Sequence, residues 1–261
     1  KAGFAHSMLK YFVYQIDPKL RMPMENVHYP TNKNIDHYSD MITEIGALCS
    51  DSRAKVENGL FFCIPGARFD AHDYAPQAVS NGCTALVVDH FVDVDVPQVK
   101  VTNVRAAMSR MAAAFYGHPA EKMRLVGVTG TKGKTTTTYM IKSILETAGM
   151  KVGLIGTMEN MVGQEVIPTE RTTPESLELQ QLFDRMQRAG CSHVVMEVSS
   201  HALTLDRVGG VRFNVAAFTN LTEDHLDFHK TMEAYCDAKA ELFRRCDKAV
   251  INADDSYSDR M

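Results

Sequence analysis

The chain has 261 residues, a formal net charge of -4 and a hydrophobic fraction of 45%. This length suffices for about two domains, and the composition is typical of globular proteins. The net charge argues against a nucleic-acid-binding protein that depends on phosphate contacts. No apolar run approaches the roughly 20 residues that span a bilayer, and the cysteines form no C-x-x-C pair. We therefore expect a cytoplasmic protein with reduced thiols that binds neither nucleic acid nor membrane.

Residues 1–122 predict an irregular extension and then a small α/β domain. Residues 1–37 are polar and interrupted by prolines, and we assign them no function. Within 38–122, short apolar runs alternate with helical patterns, which favours an α/β layer. The expected strands are 59–66, 84–90 and 98–103, and the expected helices are 74–83 and 104–117. The stretch GHPAEKM (117–123) is interpreted as a linker.

Residues 123–261 predict a second domain with a doubly wound, mostly parallel sheet. The expected strands are 123–129, 151–156, 192–198, 211–219 and 248–252, and the expected helices are 134–148, 174–188 and 231–245. For the second of these helices, Thr173 is the predicted N-cap and Pro174 the first helical residue. In such a sheet, ligands gather at the carboxyl ends of the strands.

The stretch VGVTGTKGKTTTTY (126–139) predicts an anion-binding loop between a buried strand and a helix. It departs from the strict pattern G-x-x-x-x-G-K-[ST], but Gly130 and Gly133 allow backbone N–H groups to converge on phosphate. Lys134 follows the last glycine, where a lysine reaches the outer phosphates, and the hydroxyl of Thr135 can bind Mg²⁺. The helix is expected because its apolar residues recur at helical spacing; they are Met140, Ile141, Ile144, Leu145 and Ala148. The alternative is an ordinary Gly/Thr turn before a helix.

Three further polar clusters follow apolar strands. They are RTTPE (171–175), the stretch after Glu197 with Ser199, Ser200 and His201, and the stretch with Asn220, Asp224, His225 and His229. Carboxylates and hydroxyls at strand ends suit Mg²⁺, which prefers oxygen ligands. The alternative is that Glu197 and Asp224 cap helices.

Two further features carry less information in the sequence. His225 and His229 have i, i+4 spacing, but no glutamate follows the first histidine, so zinc-protease chemistry is unsupported. By composition, Lys239 is a solvated helix lysine.

Taken together, these stretches resemble the Mur ligases, the ATP-dependent amide-bond-forming ligases of peptidoglycan synthesis. The matching stretches are GTKGKTT, TTPES, MEVSSHALTLDRV, NLTEDHLDFHKTMEAY and AKAELF, and DSRAKVENGLFFCIPG with FDAHDYAPQAV is similar to the UDP-binding domain of the family. The resemblance covers about residues 49–261. It implies a UDP-binding domain over 38–122 and an incomplete ATP-binding domain over 123–261. The C-terminal amino-acid-binding domain is expected to be absent, with both chain ends cut.

The resemblance also implies roles for individual residues. For ATP binding they are Gly130, Thr131, Lys132, Gly133, Lys134, Thr135 and Thr136. For the UDP-muramoyl-peptide they are Ser52, Thr172, Thr173, Ser199 and Arg207. The implied metal ligands are Thr135, Glu197, His225 and a carbamylated Lys239. The implied catalytic residues are Lys134, Lys239, His225 and Glu197.

The implied activity is addition of the third stem-peptide residue to UDP-N-acetylmuramoyl-L-alanyl-D-glutamate, with ATP and two Mg²⁺ sites. The substrate carboxylate attacks the γ-phosphate, and the amine of the incoming amino acid then displaces phosphate from the acyl phosphate. The partners are these small molecules, and a monomer is expected. Lys132 stands where the family usually has asparagine, and Ala71 where it usually has glycine.

Two alternatives stay open. A folylpolyglutamate or cyanophycin ligase shares the superfamily, although the motif around Ser52 argues against both. A binding-only fragment would hold the UDP-muramoyl-peptide without chemistry, so this chain alone is expected to be inactive.

Overall fold

The computed structural model describes residues 27–28, 45–66 and 69–261. The chain divides into two compact units, Lys1–Ala114 and Phe115–Met261. In the described part of the chain, no helix is both long and apolar enough to span a bilayer. Of the predicted extension 1–37, only Val27–His28 is described, and these two residues form a strand rather than irregular chain.

The first unit contains a five-stranded sheet. Its strands are β1 (Val27–His28), β2 (Ala47–Cys49), β3 (Gly59–Phe62), β4 (Cys83–Val88) and β5 (Gln98–Lys100), in the order β1-β5-β4-β3-β2. Strands β2 to β5 pair in parallel, and β1 is antiparallel to β5. Helices α1 (Ala75–Ser80) and α2 (Val104–Phe115) follow the predicted positions. The predicted α/β layer is therefore confirmed, with β2 and β1 added to it.

The second unit contains a seven-stranded sheet with a parallel core. Its strands are β6 (Arg124–Thr129), β7 (Val152–Ile155), β8 (Asn160–Val162), β9 (Glu165–Ile167), β10 (His193–Glu197), β11 (Phe213–Phe218) and β12 (Cys246–Ile251), in the order β12-β11-β6-β10-β7-β8-β9. The helices are α3 (Lys134–Thr147), α4 (Ser176–Arg188), α5 (Ser200–Thr204), α6 (Leu226–His229) and α7 (Met232–Ala240). The strands from β12 to β7 are parallel, so their carboxyl ends lie at one edge of the sheet.

Both faces of this sheet are covered, as expected for parallel strands. Adjacent residues of one strand enter different clusters, because side chains alternate between the faces. Leu125 packs with Phe183 of α4, whereas its neighbour Val126 packs with Ile141 and Leu145 of α3. The helices α3 and α4 therefore cover opposite faces and leave the strand ends accessible to ligands.

The structure adds three details to the predicted elements. Pro119–Lys122 form a short 3-10 helix whose Ala120 joins the core of the second unit, so this stretch is not a free linker. Met140 and Ile144 are 61% and 66% exposed, because α3 turns its Ile141 and Leu145 side toward the sheet. The antiparallel hairpin of β8 and β9 was not predicted; Gly163, with φ +61°, supports its tight turn.

The last predicted helix is shorter than expected. It ends at Ala240 instead of residue 245, and β12 begins at Cys246 instead of 248. Leu242 is fully buried in the core that contains Phe213, and its backbone N–H donates to Lys239 O at 3.1 Å. Burial of Leu242 therefore turns the chain before the predicted helix end.

Gly127, in the middle of β6, supplies a stability test. An added Cβ would lie 2.9 Å from two ring carbons of Phe213, which is fully buried. We expect Gly127→Ala to lower the free energy of unfolding by about 1–3 kcal/mol through overpacking. Urea denaturation of Gly127→Ala, Phe213→Leu and the double variant measures the coupling. The double variant should lose less free energy of unfolding than the two single variants lose together. Strictly additive losses would contradict the proposed clash.

Candidate functional site

Two lysines from different helices share one carbonyl oxygen in the glycine loop. Lys134 Nζ, at the start of α3, donates to Gly130 O at 2.9 Å, and Lys239 Nζ, near the end of α7, donates to the same oxygen at 2.9 Å. Lys134 Nζ also donates to Thr131 O at 2.9 Å. The loop carbonyls therefore position both ammonium groups beside the helix N-terminus.

The segment after β11 holds the loop in place. Thr131 N donates to Asn220 O at 2.8 Å, and Lys132 N donates to Asn220 Oδ1 at 3.0 Å. Gly130 has φ +147°, and an added Cβ would lie 1.9 Å from Thr219 Oγ1. Glycine is required at position 130 both by this conformation and by the close approach of Thr219.

The N-terminus of α3 is open to a ligand. Gly133 is its N-cap, with φ +82°, and an added Cβ there would meet no atom within 4 Å. The first N–H groups of a helix have no partner within the helix, and its dipole favours an anion at this end. Lys134 follows Gly133, whereas the exposed Lys132 is held through its backbone N and O. The geometry thus favours Lys134 over Lys132 as the phosphate ligand.

Lys239 is buried, so the interpretation of a solvated surface lysine is wrong. Lys239 is 1% exposed, and its Nζ lies 4.4 Å from the centroid of the Tyr235 ring. Burial and the nearby charge of Lys134 lower the pKa of Lys239 to about 7. Burial also lowers the pKa of Lys134, although the carboxylates of Glu197 and Asp224 oppose this effect. The two ammonium groups therefore lie close together, and the buried Lys239 loses its proton more readily than a free lysine.

Glu197 joins the ends of three elements. It is 1% exposed, and its Oε1 accepts hydrogen bonds from Thr135 Oγ1 and Thr157 N, both at 2.9 Å. Its Oε2 accepts from Thr157 Oγ1 at 3.1 Å. The alternative that Glu197 caps a helix is wrong, because the N-cap of α5 is Ser199, which accepts from Ala202 N. Glu197 is therefore a buried carboxylate beside the α3 hydroxyl that was predicted to bind metal.

The two predicted histidines have different environments. His229 is 8% exposed, its Nε2 lies 2.9 Å from Ser200 Oγ, and burial lowers its pKa to about 4. His225 is exposed, has φ +53° and stacks edge-on against His201, with 4.9 Å between ring centroids. His225 is therefore available to a ligand, whereas His229 supports α5.

The predicted substrate residues of the second unit form one hydrogen-bonded group. Thr173 Oγ1 donates to Glu197 O at 2.9 Å and accepts from Ser199 N at 3.1 Å. Arg207 Nη1 donates to Thr173 O at 3.1 Å, and the hydroxyl oxygens of Thr172 and Thr157 lie 3.0 Å apart. Thr173 is thus not a helix cap, since α4 begins at Ser176 with Glu175 as N-cap. The remaining predicted residue, Ser52, lies in the first unit.

Ser52 is part of a separate polar contact. Its Oγ donates to Gln77 Oε1 at 2.7 Å, and its carbonyl accepts from Asn81 Nδ2 at 2.8 Å. These bonds tie the turn after β2 to helix α1. Ser52 is half-buried, so its hydroxyl has a fixed direction and partial access to solvent.

Sequence reasoning assigned no role to two residues at this site. Thr157 lies two residues after the end of β7 and donates two hydrogen bonds to Glu197. Its position at a strand end could have identified it. Tyr235 lies under Lys239 and places its hydroxyl 3.3 Å from Thr131 Oγ1. Only the packing of α7 against the glycine loop reveals that contact.

The donor atoms fit Mg²⁺ in one place and leave the second predicted metal position incomplete. The Thr135 hydroxyl and the buried Glu197 carboxylate are hard oxygen donors, as Mg²⁺ requires. In the described part of the chain, Glu197 and His225 do not join any group of three His, Cys, Asp or Glu ligand atoms within 4.8 Å. Any second metal position there needs donors from other groups.

Comparisons with known families cover both units. The family described as "Mur ligase middle domain" matches residues 128–261, which is more than half of the chain. The family described as "Mur ligase family, catalytic domain" matches residues 44–116. The matches contain the glycine loop, Glu197 and Lys239 in one case and Ser52 in the other.

Curated relatives match at about half identity. A UDP-N-acetylmuramoyl-L-alanyl-D-glutamate–2,6-diaminopimelate ligase 1 of Clostridium acetobutylicum is 51% identical over 225 residues, covering 85% of this chain and 46% of the relative. The corresponding ligase of Clostridium tetani is 49% identical over 249 residues, covering 93% of this chain and 50% of the relative. The chain thus spans about half the length of the curated relatives that it matches.

Solved structures agree with this assignment. A structure named UDP-N-acetylmuramoyl-L-alanyl-D-glutamate–2,6-diaminopimelate ligase superposes with a TM-score of 0.74 at 27% identity, covering 95% of this chain and 48% of that one. A MurF structure from Acinetobacter baumannii shares the fold, with a TM-score of 0.61 at 24% identity. On the family matches across both units, this chain belongs to the Mur ligase family.

Proposed function

We propose that this chain carries the nucleotide site and the UDP-substrate site of an ATP-dependent ligase of peptidoglycan synthesis. The reaction adds the third amino acid, 2,6-diaminopimelate, to UDP-N-acetylmuramoyl-L-alanyl-D-glutamate. The main support for this proposal is that Lys134 and Lys239 both donate to Gly130 O beside the open N-terminus of α3. The names of the relatives that share about half of their residues with this chain support the choice of substrate and amino acid.

In this proposal the glycine loop and α3 hold the phosphates of ATP. The N–H groups at the start of α3 donate to phosphate oxygens, as is common at helix N-termini. Lys134 moves from the loop carbonyls to the outer phosphates and offsets the charge that repels an attacking carboxylate. Thr131, Lys132 and Thr136 complete the loop through backbone and hydroxyl contacts.

Thr135 and Glu197 are proposed to hold Mg²⁺, with His225 and a carbamylated Lys239 at a second position. The ion supplies electrostatic stabilisation of the transferring phosphoryl group. Thr157 fixes the Glu197 carboxylate by two hydrogen bonds, so that an oxygen stays directed toward the Thr135 hydroxyl. A carboxylate held in advance loses little conformational entropy when it binds a cation.

The substrate carboxylate is proposed to approach the γ-phosphate from the side of Thr172, Thr173, Ser199 and Arg207. Its oxygen attacks phosphorus and ADP leaves, and the amine of the amino acid then displaces phosphate from the acyl carbon. Arg207 donates to Thr173 O and pairs with Glu175 at 2.9 Å, so it also positions the Thr173 segment. Ser52 is proposed to contact the UDP part.

Lys239 is proposed to react with carbon dioxide. The neutral amine forms an N–C bond to carbon dioxide and loses one proton, which gives an anionic carbamate. Burial and Lys134 hold its pKa at about 7, so the neutral amine is abundant at neutral pH. The carbamate nitrogen keeps an N–H for Gly130 O, and the Lys134 cation attracts the new anion.

The first prediction compares the two lysines of the loop. Lys134→Met should weaken binding of ATP with Mg²⁺ by about 10-fold or more, because a bond to a charged group contributes roughly 1.5–3 kcal/mol. Lys132→Asn should bind ATP as the unchanged chain does, because only its backbone atoms hold the loop. Isothermal calorimetry measures both affinities. Equal losses in the two variants would contradict the assignment of Lys134.

The second prediction concerns the carbamate. With ¹³C-bicarbonate at pH 8, a carbamate carbon signal should appear in the NMR spectrum and decline below pH 7, as Lys239 becomes protonated. The signal should be missing in Lys239→Met and unchanged in Lys248→Met, since Lys248 is exposed. The terminal amine adds a signal common to all variants, so the difference spectrum decides. Identical spectra for the unchanged chain and Lys239→Met would refute the carbamate.

The third prediction tests the substrate class. By calorimetry, the 261-residue chain should bind UDP-N-acetylmuramoyl-L-alanyl-D-glutamate more tightly than UDP alone. Arg207→Lys should reduce this difference, because lysine cannot reproduce the two-pronged contacts of the guanidinium with Thr173 O and Glu175. A folate substrate serves as the control ligand. Binding of the folate in preference to the UDP-linked dipeptide would indicate a different ligase of the superfamily.

A further inference from the structure

A histidine and aspartate cluster in the first unit lies outside the proposed ligase site. Asp89 and His90 directly follow strand β4, and His72 lies in the 3-10 helix Ala71–Tyr74. One ligand atom from each of these three residues lies within 4.8 Å of the others, and the described residues contain no other such group. We propose that His72, Asp89 and His90 bind a divalent transition-metal ion of the zinc type.

Asp70 fixes the orientation of the His72 ring. As the N-cap of the 3-10 helix, Asp70 Oδ1 accepts from His72 N at 3.0 Å and lies 2.6 Å from His72 Nδ1. A carboxylate can only accept, so the Nδ1 atom must carry the proton. The two contacts with His72 also hold the pKa of Asp70 below its usual value. With the proton at Nδ1, the Nε2 atom on the other side of the ring is the one that can bind a metal ion.

This lone pair is buried and faces another acceptor. His72 is 5% exposed, and its Nε2 atom has no hydrogen-bond partner among the described residues. Nε2 lies 3.3 Å from Asp89 Oδ1, which is also electron-rich. Two acceptors at this distance repel each other unless a cation lies between them. A buried polar atom without a partner is costly, so the site calls for a proton or a metal ion.

The third residue favours the metal over the proton. His90 Nδ1 lies 2.5 Å from the same Asp89 oxygen, and the His72 and His90 rings stack with centroids 4.0 Å apart. Because a carboxylate only accepts, His90 Nδ1 carries the proton of this contact, and a metal ion that displaces this proton can bind all three residues. Zinc bonds to nitrogen and oxygen of about 2.0–2.2 Å place neighbouring ligand atoms roughly 3.3 Å apart. His72 and Asp89 already have that spacing, and His90 needs to move outward.

The choice of ion follows from the ligands. Imidazole nitrogen suits zinc and its neighbours in the transition series, whereas Mg²⁺ prefers oxygen. Asp70 acts as the outer carboxylate that holds a ligating histidine. His90 and Asp89 have side chains that are 59% and 32% exposed, so an ion can reach the cluster and keep one position for a further ligand. The bound ion would tie the 3-10 helix to the end of β4.

The test measures zinc binding by the 261-residue chain after treatment with a chelator. We expect one tightly bound Zn²⁺ by calorimetry and a rise in melting temperature, and Co²⁺ should give the visible absorption of a tetrahedral site. His72→Ala and His90→Ala should each weaken binding at least 10-fold. Asp70→Asn should weaken it by about 10–100-fold, as is usual for an outer partner. These effects do not depend on the proposed ligase activity.

Two controls separate this site from other histidines. His118→Asn removes an exposed histidine of the second unit and keeps its left-handed backbone, which asparagine tolerates. His225→Ala removes the accessible ring of the proposed nucleotide site. Both variants should bind Zn²⁺ as the unchanged chain does. The proposal is overturned if His90→Ala, checked as folded by circular dichroism, binds Zn²⁺ normally, or if only His225→Ala loses the ion. In that case the pair Asp70 and Asp89 holds a protonated His72 instead.

Discussion

The Gly130 carbonyl is the constraint on which the candidate nucleotide site depends. It accepts hydrogen bonds from the ammonium groups of Lys134 and Lys239, which belong to two different helices, α3 and α7. Two like charges on one acceptor lower the stability of the doubly charged state, and burial adds to this cost. An anion near the loop removes the conflict, whether it is a phosphate or a carbamate on one of the lysines. This arrangement of the two lysines is thus adapted to negative charge.

Hydrogen bonds from neighbouring elements also stabilise the buried carboxylate of Glu197. Glu197 is 1% exposed, and a charge so far from water is tolerated only with several hydrogen bonds. Thr135 and Thr157 supply three of them from α3 and from the end of β7. An added Cβ at Gly156 would lie 2.6 Å from Glu197 Oε1, so the chain also needs a glycine there. The parallel sheet makes these contacts possible, since it places the ends of β7 and β10 side by side.

The sequence was sufficient for features that are encoded locally. The strand, glycine loop and helix around Gly130 were predicted because the pattern and the glycines lie within one short segment. The burial of Lys239 was not predicted, because it results from contacts with Gly130, more than one hundred residues away. Periodicity indicated the helix α3 from Met140, Ile141, Ile144 and Leu145, but only packing against the sheet selects Ile141 and Leu145 as its buried side. The burial of Lys239 and the buried side of α3 therefore depend on long-range packing, which the local sequence does not reveal.

The two units offer different donor atoms, and this difference determines which ion each can hold. Around Glu197 the donors are carboxylate and hydroxyl oxygens, which suit a hard ion that keeps part of its hydration shell. Around His72 and His90 two imidazole rings join one carboxylate, and transition metals bind imidazole far more strongly than Mg²⁺ does. An excess of Mg²⁺ therefore competes poorly for the histidine cluster. A trace transition metal also gains little from the oxygen site, which lacks a nitrogen or sulfur donor. The ligand chemistry would therefore let the proposed Mg²⁺ site and the proposed zinc site bind different metals.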